Sequence, residues 1–361
     1  MDFESGVWAL PLGHNSIPVN NVIIKQLSEI SHTGYRYTHP IVEEAAGMLL
    51  EIMNLNQGKC VFLSSGSEAV EFAVKIIKKV AGKKYLLGLD NHYLSAYGIS
   101  GNLKSDNWIT IDWQSYTDKS NYKFLINDIP FDEVGAFVFE AGNASGNVKL
   151  PDKELVHSLI TKIREHNGWV VVDEVTTGIG RMGKWFGFQH YDILPDIIAC
   201  GKGLGNGYPV SAVGICKRLC DLLENTDFVY AQSHQNDPLG CAVAKEVLTV
   251  ISEEKLLDKA AEKGLYLRDK LSELQRKHSC IKEVRGVGLM CAIELHDVID
   301  PEMMEEIHRQ LFDAGFLVGL KLKTRVIRFY PPLIIENHMI DALTDALGNI
   351  LSNLKYSHSQ A

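Results

Sequence analysis

The chain has 361 residues and a formal net charge of −9, with 46% hydrophobic and 22% charged side chains. This composition supports a sizeable core in about two domains, and the negative charge argues against nucleic acid or an anionic membrane as a partner. The seven cysteines form no CxxC pair, which favours reduced thiols in a cytoplasmic protein and no metal site. The N-terminus is acidic, unlike a signal peptide, and the lack of a long apolar run predicts no transmembrane helix.

The first informative segment is a short apolar strand, 61–63, followed by the turn Ser64-Ser65-Gly66-Ser67 and a helical pattern over 68–77. A helix that starts after such a turn presents free backbone N–H groups and the positive end of its dipole, so the segment predicts an anion site. Ordinary capping of a helix would produce the same pattern. A nucleotide P-loop is not supported, because the glycine-rich turns lack GxxxxGK[ST].

Strands then alternate with helices up to about Val213, which predicts a mostly parallel α/β sheet. We expect strands at 84–89, 136–140, 169–173 and 197–200, and an amphipathic helix at 155–167. The apolar, β-branched run 169–172 is typical of a strand that is buried on both faces.

Asp173 and Lys202 follow two of these strands and form the most informative pair in the chain. Asp173 ends the buried strand at the place where open α/β sheets bind ligands, and a buried carboxylate needs a cationic partner. Lys202 lies among Gly201, Gly203 and Gly205, which permit close backbone approach. A lysine that reacts with an aldehyde and an acid that holds a pyridinium together indicate a pyridoxal phosphate site.

The remaining segments predict a smaller α+β unit. The pattern from 238 to about 275 predicts a long charged helix that leaves the large domain. We expect strands within 281–295 and 326–332, helices at 302–314 and 337–354, and a frayed polar tail at 356–361.

Four strings of the chain resemble the class III (subgroup II) aminotransferases, which are fold type I pyridoxal phosphate enzymes. The strings occur in the family's order and span most of the chain: SGSEAVEFAVK, VVVDEVTTGIGRMGKWFGFQHYDILPDIIACGKGLGNGYPVSAV, SHQNDPLGCAVA and IRFYPPLII. The resemblance implies an α/β fold, with a large domain built on a mostly parallel central sheet and a smaller α+β domain. We expect an N-terminal segment at 1–32, associated with the small domain and the substrate entrance, the cofactor-binding domain at 33–250 and the small domain at 251–361.

The resemblance also implies roles around the cofactor ring. Lys202 matches the lysine that forms the Schiff base and shuttles the proton. Asp173 matches the carboxylate that keeps the pyridine nitrogen protonated. Val175 matches a residue that packs on the ring, and Thr176 stands where many relatives have a glutamine near the ring hydroxyl.

Residues of the small turn match the phosphate site of the family. Ser65, Gly66 and Ser67 are expected to hold the phosphate. Ser233 matches a serine or threonine that reaches the phosphate of the neighbouring subunit, which implies a homodimer with shared sites. Relatives usually have some tens of residues before the segment DFESGVW, so we expect part of that interface to be missing.

The aromatic residue that stacks on the ring in relatives has no firm match. Either His92 or Tyr93, in the stretch 90–95, is expected to cover the ring, although both would also fit a simple loop lining.

The resemblance also implies residues of the substrate pocket, but it gives their roles in less detail. Arg328 matches an arginine that in relatives binds a substrate carboxylate or is masked by a glutamate. Glu140 matches the acid of a Glu-Pro motif, but Ala141 replaces the proline here. Val7 and Trp8 match residues that line the substrate entrance.

The resemblance therefore implies a ping-pong aminotransferase. The amino donor is an ω-amino acid, a basic amino acid derivative or an α-amino acid, and the acceptor is 2-oxoglutarate or pyruvate. An amino-acid racemase, aminomutase or decarboxylase on the same scaffold is the alternative, and a non-catalytic binding protein is a second one.

Overall fold

The computed structural model describes residues 1–114, 126–143 and 146–354. Within these residues the larger sheet has seven strands: β1 (Lys59–Leu63), β2 (Tyr85–Leu89), β3 (Trp108–Ile111), β4 (Val134–Glu140), β5 (Trp169–Asp173), β6 (Ile197–Cys200) and β7 (Ser211–Ile215). Their order is β1-β7-β6-β5-β4-β2-β3, and all neighbours are parallel except that β7 runs antiparallel to both β1 and β6. The mostly parallel sheet predicted from sequence is confirmed.

Helices cover both faces of this sheet, which explains why its central strands are uniformly apolar. The helices of this part are α1 (Ile17–Glu29), α2 (Pro40–Ile52), α3 (Gly66–Ala81), α4 (Lys153–Glu165), α5 (Lys217–Glu224) and α6 (Pro238–Glu253). On β5, Val170 and Val172 pack in the cluster that contains the apolar face of α4, whereas Val171 packs in the cluster that contains α3. Successive residues of β5 therefore fill two cores on opposite faces.

A smaller antiparallel sheet lies in the C-terminal part. Its strands are β8 (Ile281–Val287), β9 (Met290–Leu295), β10 (Gly319–Lys321) and β11 (Val326–Phe329), in the order β10-β11-β9-β8. It packs with the helices α7 (Leu256–Lys277), α8 (Pro301–Asp313) and α9 (Asn337–Asn353). The predicted α+β unit is confirmed, and the predicted strand region 281–295 forms a hairpin around Gly288, whose φ is 55°.

The prediction of one long helix over 238–275 is wrong. The chain forms α6 and α7, separated by Glu254 and Lys255, and Lys255 has a φ of 53°. A left-handed residue cannot continue a right-handed helix, and the helical periodicity on both sides hides the break in the sequence. The predicted strand at 326–332 ends at Phe329, because Pro331 and Pro332 lack the N–H that a ladder needs.

The N-terminal segment contacts both parts of the molecule. The amide N–H of Phe3 donates to the Leu317 carbonyl at 2.8 Å, and that of Tyr330 donates to the Phe3 carbonyl at 2.6 Å, so the first residues extend the smaller sheet region. Helix α1, in contrast, packs on α6 beside the larger sheet. The domain limits at residues 32 and 250 stay a prediction, and the tail at 356–361 lies outside the described residues.

No helix in the described ranges combines the length and the apolar character needed to cross a membrane.

Candidate active site

The carboxyl ends of β4, β5 and β6 meet at one edge of the larger sheet, and a cavity of about 170 Å³ lies there. Glu140 and Asp173, the last residues of β4 and β5, pair in register. The cavity is lined by Ser65, Gly66, Ser67, Tyr93, Leu94, Asp173, Val175, Thr176 and Lys202. The structure thus brings together residues from four separate stretches of the chain, at the edge where open α/β sheets bind ligands.

Lys202 follows β6 on a turn in the left-handed conformation, with a φ of 43°. Its Nζ donates a hydrogen bond to Oγ1 of Thr176 at 3.0 Å. Burial lowers the pKa of Lys202 from its ordinary value, while the nearby carboxylates of Asp173 and Glu140 oppose that shift. A lower pKa increases the fraction of neutral amine, which is the form that attacks a carbonyl.

Asp173 is buried at the floor of the cavity, with 4% of its surface exposed. Burial raises the pKa of Asp173 to about 7, although the Val175 N–H, which donates to Oδ1 at 2.8 Å, and the charge of Lys202 both oppose the rise. A carboxyl group that is this costly to ionise gains stability when a cation is placed against it. A protonated ring nitrogen placed in the cavity would be such a cation.

The second acid at the end of β5 has a different task. Glu174 is completely buried and accepts hydrogen bonds from the Thr177 hydroxyl at 2.6 Å and from the amides of Gly187 and Phe188 at 2.8 and 2.6 Å. These bonds tie the loop after Asp173 to the segment at 187–188.

The turn before α3 forms the opposite wall of the cavity. Ser65 caps the helix, and its Oγ accepts from the Glu68 N–H at 3.2 Å. A Cβ at Gly66 would lie 2.4 Å from Cγ1 of Val175, so this position requires glycine. Ser67 binds the next loop, because its Oγ accepts from the Ala96 N–H at 3.0 Å. The unpaired N–H groups of the first helical turn are suited to an anion.

His92 and Tyr93 occupy different environments. Tyr93 is half exposed and lines the cavity. His92 is buried behind it, its Nδ1 accepts from the Glu140 N–H at 3.1 Å, and its ring stands edge-on to Trp113. Burial lowers the pKa of His92 to about 3, so the ring is neutral. Which of the two covers a bound ring stays a prediction, and the cavity wall favours Tyr93.

Glu140 lies beneath Tyr93, whose backbone N–H donates to its Oε2 at 3.0 Å. Burial, and then the neighbouring Asp173, raise the pKa of Glu140 well above its ordinary value, against the opposing charges of Lys202 and Lys321. Glu140 is therefore harder to ionise than an ordinary glutamate, and it lies in register with Asp173 on the neighbouring strand.

The indole ring of Trp8 contacts the cationic groups of both Lys202 and Arg328. Lys202 Nζ lies 4.7 Å and Arg328 Cζ 5.0 Å from the centroid of the Trp8 ring, distances at which a cation interacts with an indole. The ring also packs edge-on against Tyr330. Trp8 belongs to a turn, Ser5–Trp8, in which every residue has a positive φ, including Val7 at 62°. A β-branched residue rarely adopts this conformation, so the turn is strained.

Glu4 lies beside Arg328, and sequence analysis missed it. A Cβ at Gly319 would lie 2.0 Å from Oε1 of Glu4 and 2.8 Å from Nε of Arg328, so both side chains crowd the same glycine. Gly319 and Arg328 are cross-strand partners on β10 and β11. Burial raises the pKa of Glu4, and the positive charge of Arg328 opposes the rise. An acidic residue immediately before the SGVW string was the only local signal for this pair.

Six of the predicted residues do not line the cavity: Val7, Trp8, His92, Glu140, Ser233 and Arg328. Ser233 is exposed on the segment before α6, and residue Val7 is 60% exposed. Neither is among the cavity-lining residues.

Comparison with known proteins identifies the family. The model of the class-III aminotransferases matches residues 1–93 and 116–351, so the chain belongs to this family. The acetylornithine aminotransferase of Caldanaerobacter subterraneus is 32% identical over 369 residues, which cover 99% of this chain and 91% of that protein. The one of Methanocaldococcus jannaschii is 31% identical over 369 residues, which cover 98% of this chain and 89% of that protein.

Among solved structures, the ornithine aminotransferase of Toxoplasma gondii superimposes with a TM-score of 0.84 and 28% sequence identity, covering 97% of this chain and 85% of that one. That structure was described with partial occupancy of pyridoxal phosphate at the active site. The chain is therefore a pyridoxal phosphate-dependent aminotransferase of fold type I, which acts on an amino donor and a 2-oxo acid. Its cavity fits this cofactor, since it combines a buried lysine, a buried acid and a helix start.

Proposed function

We propose that Lys202 and Asp173 are the catalytic residues and that the turn at 65–67 holds the cofactor phosphate. The observation that supports this proposal is that one cavity is lined by the amine, the acid and the first turn of α3. When bound, pyridoxal phosphate supplies an aldehyde that holds the amino group and a ring that accepts electrons.

The side chains at the cavity have different proposed roles in the reaction. Lys202 holds the cofactor at rest and then moves a proton between the substrate carbon and the cofactor carbon, as a general acid and base. Asp173 keeps the ring nitrogen protonated. Val175 and Tyr93 are placed to pack on the ring, and Thr176, which accepts from Lys202 at 3.0 Å, orients the amine. Trp8 excludes water from the side that faces Arg328.

We further propose that the donor is the ω-amino group of an N-acylated basic amino acid, such as N-acetylornithine, and that the acceptor is 2-oxoglutarate. The proposed donor is taken from the names of the two acetylornithine aminotransferases that match nearly the whole chain. Arg328, whose guanidinium lies across one indole ring from Lys202, supports a 2-oxo acid as the acceptor, and the screen below separates 2-oxoglutarate from pyruvate. A 2-oxo acid has a carboxylate next to its reacting carbon, and arginine binds carboxylates with two parallel hydrogen bonds.

A screen of donors and acceptors tests this assignment. Purified enzyme loaded with pyridoxal phosphate is given N-acetylornithine, ornithine, an α-amino acid or an aryl alkyl amine, each with 2-oxoglutarate or pyruvate. We expect the highest kcat/KM for N-acetylornithine with 2-oxoglutarate, and parallel double-reciprocal plots, since the amino group leaves the first substrate before the second one binds.

Two outcomes of the screen would contradict the assignment in different ways. A change in the amino acid without consumption of a 2-oxo acid would support racemase or decarboxylase chemistry. Preference for an amine without any carboxylate would retain transamination but contradict the proposed donor.

Glu4 is expected to compensate the charge of Arg328 while an ω-amine, which has no carboxylate next to the amine, occupies the site. The variant Glu4→Gln should lower KM for 2-oxoglutarate by about tenfold, which corresponds to 1.4 kcal/mol of electrostatic competition. The KM of the donor should stay constant or rise. Steady-state kinetics of both half-reactions measure this, with the exposed Glu336→Gln as a control. Equal changes in both KM values would indicate general damage to the site.

We propose that the active unit is a homodimer in the cytoplasm, in which Ser233 completes the phosphate site of the neighbouring subunit. Support comes from the exposure of Ser233 and from large apolar side chains on the surface, among them Ile17, Ile24, Leu27 and Tyr37. Light scattering coupled to gel filtration checks the dimer, and a monomeric active enzyme would contradict it.

A further inference from the structure

Two histidines share one carboxylate at the start of α6, outside the cavity described above. His32 follows α1, whereas His234 and Asp237 belong to the segment that leads into α6. Nδ1 of His32 lies 2.7 Å from Oδ1 of Asp237, and Nδ1 of His234 lies 2.8 Å from Oδ2. The two imidazole rings are 4.8 Å apart. Each residue places one possible metal ligand within 4.8 Å of the other two.

Helix capping does not explain the orientation of the Asp237 side chain. Asp237 is the N-cap residue of α6, and an aspartate there usually accepts a hydrogen bond from the first turn. Its side chain makes no such bond, and its two oxygens face the two histidines instead. The carboxylate is 14% exposed and the imidazoles are 44% and 61% exposed, so the cluster has a fixed base and a side open to solvent.

We propose that His32, His234 and Asp237 bind a divalent transition metal ion of the Zn²⁺ type. Imidazole nitrogen with one carboxylate oxygen is a ligand set for such ions and not for Mg²⁺ or Ca²⁺. Ligands of a tetrahedral zinc ion lie about 2 Å from the metal and hence about 3.3 Å from each other. The observed separations bracket this value, so small rotations of the side chains suffice. Solvent fills the remaining coordination positions.

Metal binding joins two parts of the chain that are far apart in sequence. His32 lies in the connection between α1 and α2, and His234 follows Ser233 directly. An ion held here fixes the segment that carries Ser233. This effect on the active site rests on the proposed role of Ser233, whereas the metal site itself does not.

Equilibrium dialysis against Zn²⁺ tests the site. Tag-free, cofactor-loaded enzyme is freed of metals with a chelator, and bound zinc is measured by elemental analysis. We expect one zinc ion per chain, and at least about tenfold weaker binding in both His32→Ala and His234→Ala. The matched control is His338→Ala, since His338 is another exposed histidine paired with a carboxylate, Glu336. Its zinc affinity should equal that of the unaltered chain.

Thermal unfolding provides a second readout that is independent of activity. Zinc should raise the Tm of the unaltered enzyme and of His338→Ala, but not that of the double variant His32→Ala/His234→Ala. Without zinc, equal Tm values of all variants show that the substitutions leave the fold intact. The proposal is overturned if the unaltered enzyme binds no zinc, or if the double variant binds it with the same affinity. If the unaltered enzyme binds zinc as expected but catalyses no transamination, the proposed function is contradicted and the metal site is not.

Discussion

Lys202→Ala is expected to reduce turnover by at least about 10³-fold while the enzyme still binds pyridoxal phosphate. Among the described residues that line the cavity, Lys202 is the only amine, so no neighbour can replace it as base or as cofactor anchor. The turn at 65–67 and Asp173 remain, which is why cofactor affinity should fall less than activity. Single-turnover kinetics and equilibrium dialysis of the cofactor measure the two effects separately.

The control for this variant is Lys217→Ala, because Lys217 is an exposed lysine paired with Asp221 on α5. It should retain full activity. A small primary amine added to Lys202→Ala should restore part of the turnover, since it can supply the missing proton transfer. Turnover of Lys202→Ala within a few fold of the unaltered enzyme would contradict the role of Lys202 in proton transfer.

Local sequence patterns sufficed to predict a mostly parallel sheet and most of its strands, but not β3 or β7. The run 169–173 is apolar and β-branched because β5 is buried on both faces, and Asp173 interrupts that run at the edge where the cavity lies. One glycine beside Lys202 is required by close approach, since a Cβ at Gly205 would lie 2.9 Å from Cγ1 of Val210. Such requirements act on neighbouring residues and are therefore visible in the sequence.

Features that depend on distant contacts could not be predicted in this way. Glu4 meets Arg328, and His32 meets Asp237, only because the fold brings remote segments together. The left-handed turn at Ser5–Trp8 is also a tertiary effect. The Ser5 hydroxyl donates to the Tyr330 carbonyl at 2.5 Å, and Trp8 packs between two cations, so these contacts outside the turn offset its strain.

The second large effect is expected at Asp173. Asp173→Asn should lower kcat by at least about 10²-fold, because an amide cannot hold the proton on the ring nitrogen, and the ring then accepts electrons poorly. Asp173→Glu keeps the charge and should recover part of the activity. The exposed Asp192→Asn, which removes only an ion pair with Lys153, should have no effect. Full activity of Asp173→Asn would exclude the proposed contact with the ring.

Stability of the cofactor-free protein separates this catalytic role from a structural one. Burial raises the pKa of Asp173 from 3.8 to about 7, so the folded chain keeps a proton that the unfolded chain has already lost. Asp173 therefore makes folding less favourable as pH rises from about 4 to 7, and the full cost remains above pH 7. Asp173→Asn has no such ionisation, so at pH 8 the cofactor-free variant should unfold at a higher temperature than the unaltered protein. If Asp173 served only to stabilise the fold, Asp173→Asn would unfold at a lower temperature. If Asp173 instead destabilises the cofactor-free protein and acts beside a bound cation, Asp173→Asn is more stable and inactive.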